Sequence, residues 1–286
     1  MTTPEAIPVL LYHAVTDDPP GWIAPFTVRP REFLAQLDAI AASGRTAITA
    51  TRLLDGLTGR EPLPERPIVI TIDDGFADLS RFTAPALAAR GLPATAYLTT
   101  GAIGGSASGG SASGGSASGG ASGGGALDSL LPPAPMMTFD QVPELVPMGI
   151  EVGAHTVSHP QLDTLPRHRV RQELARPKAL LEDLLGLPVP AFAYPHGYNS
   201  PAVRRLVREA GYSSAMAVRN ALSSTRDEPY RIARIMLRAG DTTADLSRWL
   251  AGTGASVAPY PDRLRTVGWR WYRRGRRLVR GDTFAG

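Results

Sequence analysis

Short apolar runs with strand character alternate with runs of helical period along most of this chain, and this alternation constrains its fold more than any other feature. Two helix-like runs, Arg31–Ser43 and Val170–Leu185, repeat apolar residues on one face. The strand-like runs are Val9–Tyr12, Thr46–Thr49, Pro67–Ile72, Ala94–Leu98, Ile150–Gly153, Ala191–Tyr194, Ser213–Val218 and Ile232–Ile235. About seven or eight such βα units predict an α/β fold, a closed or nearly closed (β/α)7–8 barrel. The alternative is an open doubly wound sheet, but no glycine-rich nucleotide loop follows the first strand.

Residues 104–125 interrupt this alternation with a repeat of glycine, serine and alanine. The tract has no large side chain to bury, so it predicts a flexible loop. The strand-like run Ala94–Leu98 precedes it, and Thr138 follows it in T-F-D-Q, a capping box that predicts the start of a helix. We therefore expect the tract to interrupt one catalytic domain, residues 1–260, and not to separate two.

The chain has no cysteine, so disulfides and thiolate metal sites are excluded, and any metal must be held by His, Asp or Glu. The first residues contain no basic run followed by an apolar stretch, so they do not predict a signal peptide. No apolar run is long enough to span a bilayer. These patterns predict a cytoplasmic location.

Residues 261–286 form a basic tail. Between residues 263 and 280 the tail carries eight arginines and no acid, so the net charge of +4 leaves −4 for the rest of the chain. Its Trp269, Trp271 and Tyr272 are compatible with binding to an anionic membrane surface or an anionic polymer, which would make the protein peripheral at the membrane. No nucleic-acid motif accompanies the charge, so no nucleic acid is expected as a partner. The alternative is a solvated terminal helix that packs on the barrel through Leu264, Val267 and Trp271.

The segment ITIDDGFAD, residues 70–78, ends an apolar strand in two adjacent carboxylates and a glycine. Asp73 and Asp74 repel each other unless a cation or hydrogen bonds compensate. Neighbouring side chains leave a strand end in different directions, so one can bind a metal while the other faces a substrate. The alternative is a strand that only leads into an Asp-Gly turn.

The segment GAHTVSHPQLDTL, residues 153–165, places His155 and His159 four residues apart, directly after a strand. If the chain turns helical there, both imidazoles lie on one face and can share a metal ion, although His-x3-His also occurs by chance. Together with the two aspartates, these histidines should meet at the carboxyl ends of barrel strands. One carboxylate and two imidazoles leave an open metal position, which is the pattern of a catalytic site. His168 stands among arginines before a helix and is expected to be solvated.

These motifs resemble those of the polysaccharide deacetylase family, also called the NodB-homology or carbohydrate esterase 4 family, over about residues 8–240. The family's TFDDG stands here as TIDDG, residues 71–75, and its HTxxH as HTVSH, residues 155–159. The resemblance implies a distorted barrel of the NodB-homology type. It also implies that Asp73 is the general base and that one divalent ion, most simply Zn²⁺, is bound by Asp74, His155 and His159.

The third family motif, Arg-x-Pro-Tyr-Gly, stands here as FAYPHG, residues 192–197, with alanine in place of the arginine and histidine in place of the tyrosine. By this motif the chain is more similar to members with FAYPYG, which include poly-N-acetylglucosamine deacetylases. The resemblance makes Tyr194, Pro195 and His196 candidates for substrate or oxyanion binding, unless His196 is only a loop histidine. Arg234 is a candidate to replace the missing arginine that orients the base, although an arginine in a surface ion pair is commoner.

The general acid departs from the order usual in the family. Most members end their catalytic domain with Leu-x-His, whose histidine protonates the leaving amine, but this chain has no histidine after His196. The run Leu11-Tyr12-His13 has the local form of the missing motif and ends the first strand. Because the first and last strands of a closed barrel are neighbours, a circular permutation would preserve the site. His13 is then a candidate acid across the metal from Asp73, unless it only caps its strand through a satisfied hydrogen bond.

The motifs together predict a metal-dependent hydrolase that removes N-acetyl groups from an N-acetylhexosamine-containing sugar or glycan, acting on a linear amide C–N bond. Three other functions fit the same sequence: hydrolysis of a small amide or imide on the same fold, carbohydrate binding without catalysis, and a role at a membrane surface through the basic tail. The four intact motif residues argue against a binder without catalysis, which has no need for all of them.

Overall fold

The computed structural model describes residues 5–104 and 129–261, together with residues 268, 269, 272, 273, 275 and 276 of the tail. The strands are β1 (Ala6–Ile7), β2 (Val9–Tyr12), β3 (Thr46–Ile48), β4 (Pro67–Asp74), β5 (Ala94–Leu98), β6 (Ile150–Ala154), β7 (Ala191–Ala193), β8 (Ser214–Met216), β9 (Ser223–Ser224) and β10 (Ile235–Met236). The α-helices are α1 (Pro30–Ala42), α2 (Ala50–Leu57), α3 (Ala84–Ala88), α4 (Arg167–Leu185), α5 (Pro201–Glu209) and α6 (Thr243–Leu250). From residue 105 onward, the predicted glycine-rich loop lies outside the described residues.

Eight of these strands form one curled parallel sheet in the order β10-β2-β4-β5-β6-β7-β8, with β3 pairing the start of β4. A parallel bridge joins Met216 of β8 to Ile232, so the far edge of the sheet approaches the segment that leads into β10. The sheet is therefore a distorted barrel, as the alternation of elements predicts, and the open doubly wound alternative is wrong.

The first strand of this sheet lies beside its last. Ile235 and Met236 of β10 pair in parallel with Leu10 and Leu11 of β2. Strands from the two ends of the catalytic region are thus neighbours, which is the arrangement that a permuted motif order requires. The permutation itself stays a prediction.

Alternate residues of β4 belong to different layers of the molecule. Ile68, Ile70 and Ile72 join the larger apolar cluster, where they pack with residues of α1. Val69 belongs to a smaller cluster that gathers residues from β2, β5, β7 and β8, strands that can all meet only inside the curl. Because side chains alternate along a strand, Asp73 follows Val69 on the inward face.

The capping box after the glycine-rich tract is present, but it opens a different element from the one predicted. The backbone N–H of Thr138 donates to the Gln141 side chain at 3.0 Å. The chain then forms two 3₁₀ segments, Phe139–Gln141 and Pro143–Met148. Proline has no N–H and disfavours a regular α-helix, so Pro143 and Pro147 explain why the predicted helix does not form.

No α-helix within the described ranges is long and apolar enough to cross a bilayer. In the tail, Leu264, Val267 and Trp271, through which a terminal helix was expected to pack, lie outside the described residues. His168 is exposed, as its place among arginines predicts.

Candidate active site

The paired aspartates end β4 with their carboxylates turned to different partners. Asp73 and Asp74 are each 2% exposed. The strand alternation directs Asp73 into the curl, as described above. Asp74 has a φ of 76°, in the left-handed region that residues other than glycine rarely adopt, so its carboxylate leaves the direction that a regular strand would give it.

The two motif histidines lie beside Asp74. Its Oδ1 is 3.6 Å from Nε2 of His155 and 3.4 Å from Nε2 of His159. One potential ligand atom from each of these three buried residues lies within 4.8 Å of the others. Nδ1 of His155 is 2.8 Å from the carbonyl oxygen of Ala193, a hydrogen bond that leaves Nε2 turned to the aspartates. The structure therefore brings together the three residues predicted to hold a metal.

The backbone that carries the histidines is not the predicted helical turn. After β6 the chain forms an irregular loop, in which Thr156 has a φ of 71° and His159 a φ of 58°. The carboxylate of Glu173 accepts the N–H groups of Val157 and Ser158, both at 2.9 Å. These backbone donors are satisfied by a side chain of α4 and not by a helix, so the helical prediction was wrong although the convergence of the two imidazoles was right.

Glu173 was missed by the sequence analysis, although the sequence carries a signal for it. It lies on the buried face of α4, with Val170, Leu174 and Leu181. An acidic residue on the apolar face of a helix needs a buried partner. The partner here is the loop that carries His159.

The donors at this point fit a divalent cation. Oδ1 of Asp74 is buried and has no hydrogen-bond partner, which is costly for a carboxylate oxygen unless a cation compensates. Burial, and then the charge of Asp73, raises the pKa of Asp74 well above its usual value. A divalent ion would offset both effects. Asp74, His155 and His159 provide the one-oxygen, two-nitrogen set that catalytic zinc sites use.

Arg234 holds the other aspartate. Its Nη1 and Nη2 donate to Oδ1 and Oδ2 of Asp73 at 2.7 and 2.8 Å. The same side chain donates to the Thr71 hydroxyl and to the Ala217 carbonyl, both at 3.2 Å. Arg234 is completely buried, so the alternative of a surface ion pair is wrong. Burial acts to raise the pKa of Asp73, but the guanidinium and His155 outweigh it and hold that pKa below its usual value.

His13 follows the strand next to the one that carries Asp73. Tyr12 pairs with Ile72 in the register of β2 and β4, so the next residues of the two strands are His13 and Asp73. Nδ1 of His13 is buried without a hydrogen-bond partner, so the structure does not show a cap through this atom. Burial lowers the pKa of His13 to about 4, with Asp73 acting in the opposite direction.

The residues of the third motif lie partly in the core and partly beside the three grouped donors. Tyr194 is fully buried, and its hydroxyl donates to the carbonyl of Tyr230 at 2.9 Å. Both the ring and the hydroxyl of Tyr194 thus have partners inside the protein, and its role in substrate or oxyanion binding stays a prediction. Pro195 is buried and has no N–H, and its carbonyl accepts from Tyr198 at 3.2 Å. Its role and that of His196 stay predictions.

His196 lies next to His159, one of the three grouped donors. Its ring centroid is 4.7 Å from that of His159. Burial lowers its pKa to about 4. With φ values of 56° to 76°, His196, Asp74, Thr156 and His159 account for four of the six non-glycine residues with positive φ in the described part of the chain. Strained backbone is thus concentrated around the three donors, as is common where side chains are positioned for chemistry.

Comparisons with known proteins agree with this fold. The deacetylase PplD from Streptococcus pyogenes, solved with acetate, has a TM-score of 0.70 at 21% identity, over 88% of this chain and 100% of that chain. IcaB from Ammonifex degensii has a TM-score of 0.67 at 24% identity, over 87% and 97%. A de-N-acetylase from Aggregatibacter actinomycetemcomitans has a TM-score of 0.68 at 17% identity, over 85% and 99%. At these identities the likeness shows a shared fold.

The family is shown by sequence. A family model described as polysaccharide deacetylase matches residues 60–215, more than half of the chain. The matched region contains both aspartates, both metal-site histidines and the FAYPHG segment. The chain belongs to the polysaccharide deacetylase family.

Proposed function

We propose that this polysaccharide deacetylase removes N-acetyl groups from an N-acetylhexosamine-containing glycan and depends on one divalent ion, most simply Zn²⁺. The observation that carries the proposal is the convergence of Asp74, His155 and His159 within 4.8 Å, beside an aspartate that Arg234 holds by two hydrogen bonds. The name of the Aggregatibacter relative, a de-N-acetylase, supports an amide as the bond that is broken.

Asp74, His155 and His159 would hold the ion, which when bound supplies a more acidic water and a polarised acetamide carbonyl. Asp73 would take the proton of the attacking water. Its lowered pKa keeps it ionised at neutral pH and therefore able to act as a base. Arg234 fixes the rotation of this carboxylate, because it binds both oxygens at once.

His13 would protonate the leaving sugar amine. It is the residue after Tyr12, which pairs with Ile72, so it lies at the end of the strand next to that of Asp73, and its Nδ1 has no hydrogen-bond partner. Burial keeps this imidazole neutral in the resting site. Negative charge that develops on the reacting acetamide would raise the pKa of His13 and so favour its protonation. The backbone N–H of His196 is a candidate hydrogen-bond donor to the acetamide oxygen, on which this negative charge develops.

Mass spectrometry of N-acetylglucosamine oligomers tests this function. The metal-loaded protein should release acetyl groups, and Asp73→Asn, which retains the metal ligands, should lose about 10²–10⁴-fold in rate. An enzyme of the same fold that acts on small amides or imides would leave the oligomers intact. A carbohydrate-binding protein without catalysis would retain them without any loss of acetyl groups, and either result would contradict the proposal.

A further inference from the structure

The described part of the basic tail is fastened to the active-site loop by one buried arginine. Nη1 and Nη2 of Arg273 donate to the two carboxylate oxygens of Asp163, both at 2.7 Å. Arg273 is 5% exposed and Asp163 is 2% exposed. Nη1 also donates to the side chain of Gln161 at 3.2 Å. Asp163 follows His159 by four residues, so this ion pair joins the tail to the loop that carries a metal ligand.

Stacked rings continue from this ion pair to the metal site. The guanidinium carbon of Arg273 lies 3.6 Å from the ring centroid of Tyr198. Tyr198 stacks on His196 with centroids 5.7 Å apart and an interplanar angle of 28°. His196 in turn lies against His159. Arg273, in the described part of the tail, is therefore linked through two stacked rings to a proposed metal ligand.

Two aromatic residues of the tail face solvent at this point. Trp269 and Tyr272 stack with centroids 5.0 Å apart and an interplanar angle of 22°, and they are 44% and 54% exposed. The indole nitrogen of Trp269 lies 3.4 Å from the hydroxyl of Tyr198. We name these two rings the aromatic platform. They form an exposed aromatic surface that Tyr198 and His196 connect to His159.

We propose that the aromatic platform is a sugar-binding subsite that receives a neighbouring unit of the glycan whose acetyl group is removed. The face of an aromatic ring is negatively polarised and attracts the positively polarised C–H groups of a pyranose. The hydroxyls of the sugar remain free to contact water and polar groups. This inference rests on the proposed function, since it gives the polymer a second point of contact.

The geometry favours a sugar over a membrane surface. A membrane-binding segment directs its arginines toward lipid headgroups. Arg273 instead lies inside the protein, paired with Asp163 and covered by Tyr198. The platform rings adjoin the proposed active site, since Trp269 contacts Tyr198, which stacks on His196.

Calorimetric titration of N-acetylglucosamine oligomers tests the platform. The titration uses full-length Asp73→Asn protein loaded with Zn²⁺, so that binding is measured without hydrolysis. Adding Trp269→Ala and Tyr272→Ala should weaken binding of a tetramer by about tenfold and leave the monomer unchanged, because only the longer ligand can reach the rings. The matched control is Leu187→Ala, which removes an apolar side chain that is 49% exposed and lies before β7, at the opposite end of the strand from the site.

The outcomes separate this inference from the proposed function. Tetramers with β-1,4 linkage and tetramers with β-1,6 linkage are both titrated. If the platform variant binds both kinds as tightly as the Leu187→Ala control does, the platform is not a sugar-binding subsite. A platform variant that binds oligomers normally, but loses binding to vesicles of phosphatidylglycerol and phosphatidylcholine, would assign the rings to a membrane instead. If the wild type binds tetramers through the platform but releases no acetate, the proposed function fails and the subsite stands.

Kinetics provide a second readout. In the otherwise wild-type protein, the platform substitutions should raise KM for the tetramer and leave kcat close to its original value, because neither ring touches the reacting bond. Trp269→Phe should restore most of the affinity, since it retains an aromatic face. A fall in kcat with unchanged KM would contradict a binding role.

Discussion

Arg234 and Asp73 are 161 residues apart in the sequence, yet two guanidinium nitrogens lie 2.7 and 2.8 Å from the two carboxylate oxygens. Both side chains are buried, and the arginine also bonds to Thr71 and Ala217. The pair thus fixes both the charge and the orientation of the proposed base. A single hydrogen bond would leave the carboxylate free to rotate, whereas two parallel bonds do not.

Replacing Arg234 by Met should affect both stability and pH dependence. It leaves the Asp73 carboxylate buried and unpaired, which costs about 3–5 kcal/mol in unfolding free energy. The pKa of Asp73 should rise, so the acid limb of the pH–rate profile should move to higher pH, and Arg234→Lys should move it less. The control is Arg171→Met, because Arg171 forms an exposed pair with Glu209 at 3.4 Å. An unchanged acid limb in a folded Arg234→Met protein would contradict the assignment.

The metal site can be tested by metal analysis alone. His155→Ala or His159→Ala removes one of three donors, so stoichiometric binding of Zn²⁺ should be lost. His168→Ala is the matched control, since that histidine is exposed and distant in the sequence from the ligands. If the double variant at 155 and 159 still bound one ion per chain, the ligand set would be wrong.

His13→Ala should separate metal binding from proton donation. His13 is not among the three grouped donors, so metal content should stay at the wild-type level. Deacetylation should fall by about 10²–10⁴-fold, the usual contribution of a general acid. The basic limb of the pH profile of kcat should also change, because the proton donor is lost above the pKa that His13 has in the substrate complex, where negative charge on the acetamide raises it. Identical profiles for the variant and the wild type would remove His13 from the mechanism.

Acid should destabilise the metal-free protein through its buried histidines. Burial lowers the pKa values of His13 and His196 from 6.5 to about 4, so the unfolded chain binds protons between these values while the folded chain does not. Stability is then fully present above pH 6.5 and is lost as the pH falls toward 4, by about 1 kcal/mol per histidine between pH 7 and 5.5. Urea denaturation at several pH values measures this slope. His13→Gln and His196→Gln should each flatten it, whereas a slope that responds equally to His168→Gln would contradict the explanation.

Shortening the glycine-rich tract should change stability little. Residues 105–125 contain only glycine, serine and alanine, so they add almost nothing to an apolar core. Gly104 is kept, because its N–H donates to the Met137 carbonyl at 3.0 Å. Replacement of residues 105–125 by a short Gly-Ser link should alter the unfolding free energy by about 0.6 kcal/mol for each halving of loop length. Loss of the cooperative thermal transition would show that the tract has a structural role.

The sequence predicted the strands and the grouping of the site residues better than the backbone conformation of the loops that connect the strands. Strands β2 and β5 have the predicted bounds, because their apolar runs are continuous and end at polar or turn residues. The strand β4 continues through both aspartates, where the prediction ended it at Ile72. That extension depends on pairing with β5, a long-range contact that the local pattern does not contain.

In the loop after β6, His155 and His159 meet as predicted, although the helical turn that was predicted to bring them together does not form. The spacing of His155 and His159 suits a helix. In the structure, Thr156 and His159 instead have left-handed φ values, and the Glu173 carboxylate accepts the two backbone N–H groups between them. The buried pair of Asp163 and Arg273 could not be predicted either, since 110 residues separate its members and nothing local marks them as partners. Such relationships arise from the tertiary structure and not from a sequence period.

Ala193 orients the ring of His155 through its main-chain carbonyl and not through its side chain. The carbonyl of Ala193 sets which ring nitrogen of His155 faces the aspartates, and any residue that continues β7 presents the same carbonyl. The side chain at this position is therefore not needed to orient His155. The arginine that holds Asp73 can then come from another strand that reaches the inside of the curl, and in this protein it is Arg234, the residue before β10.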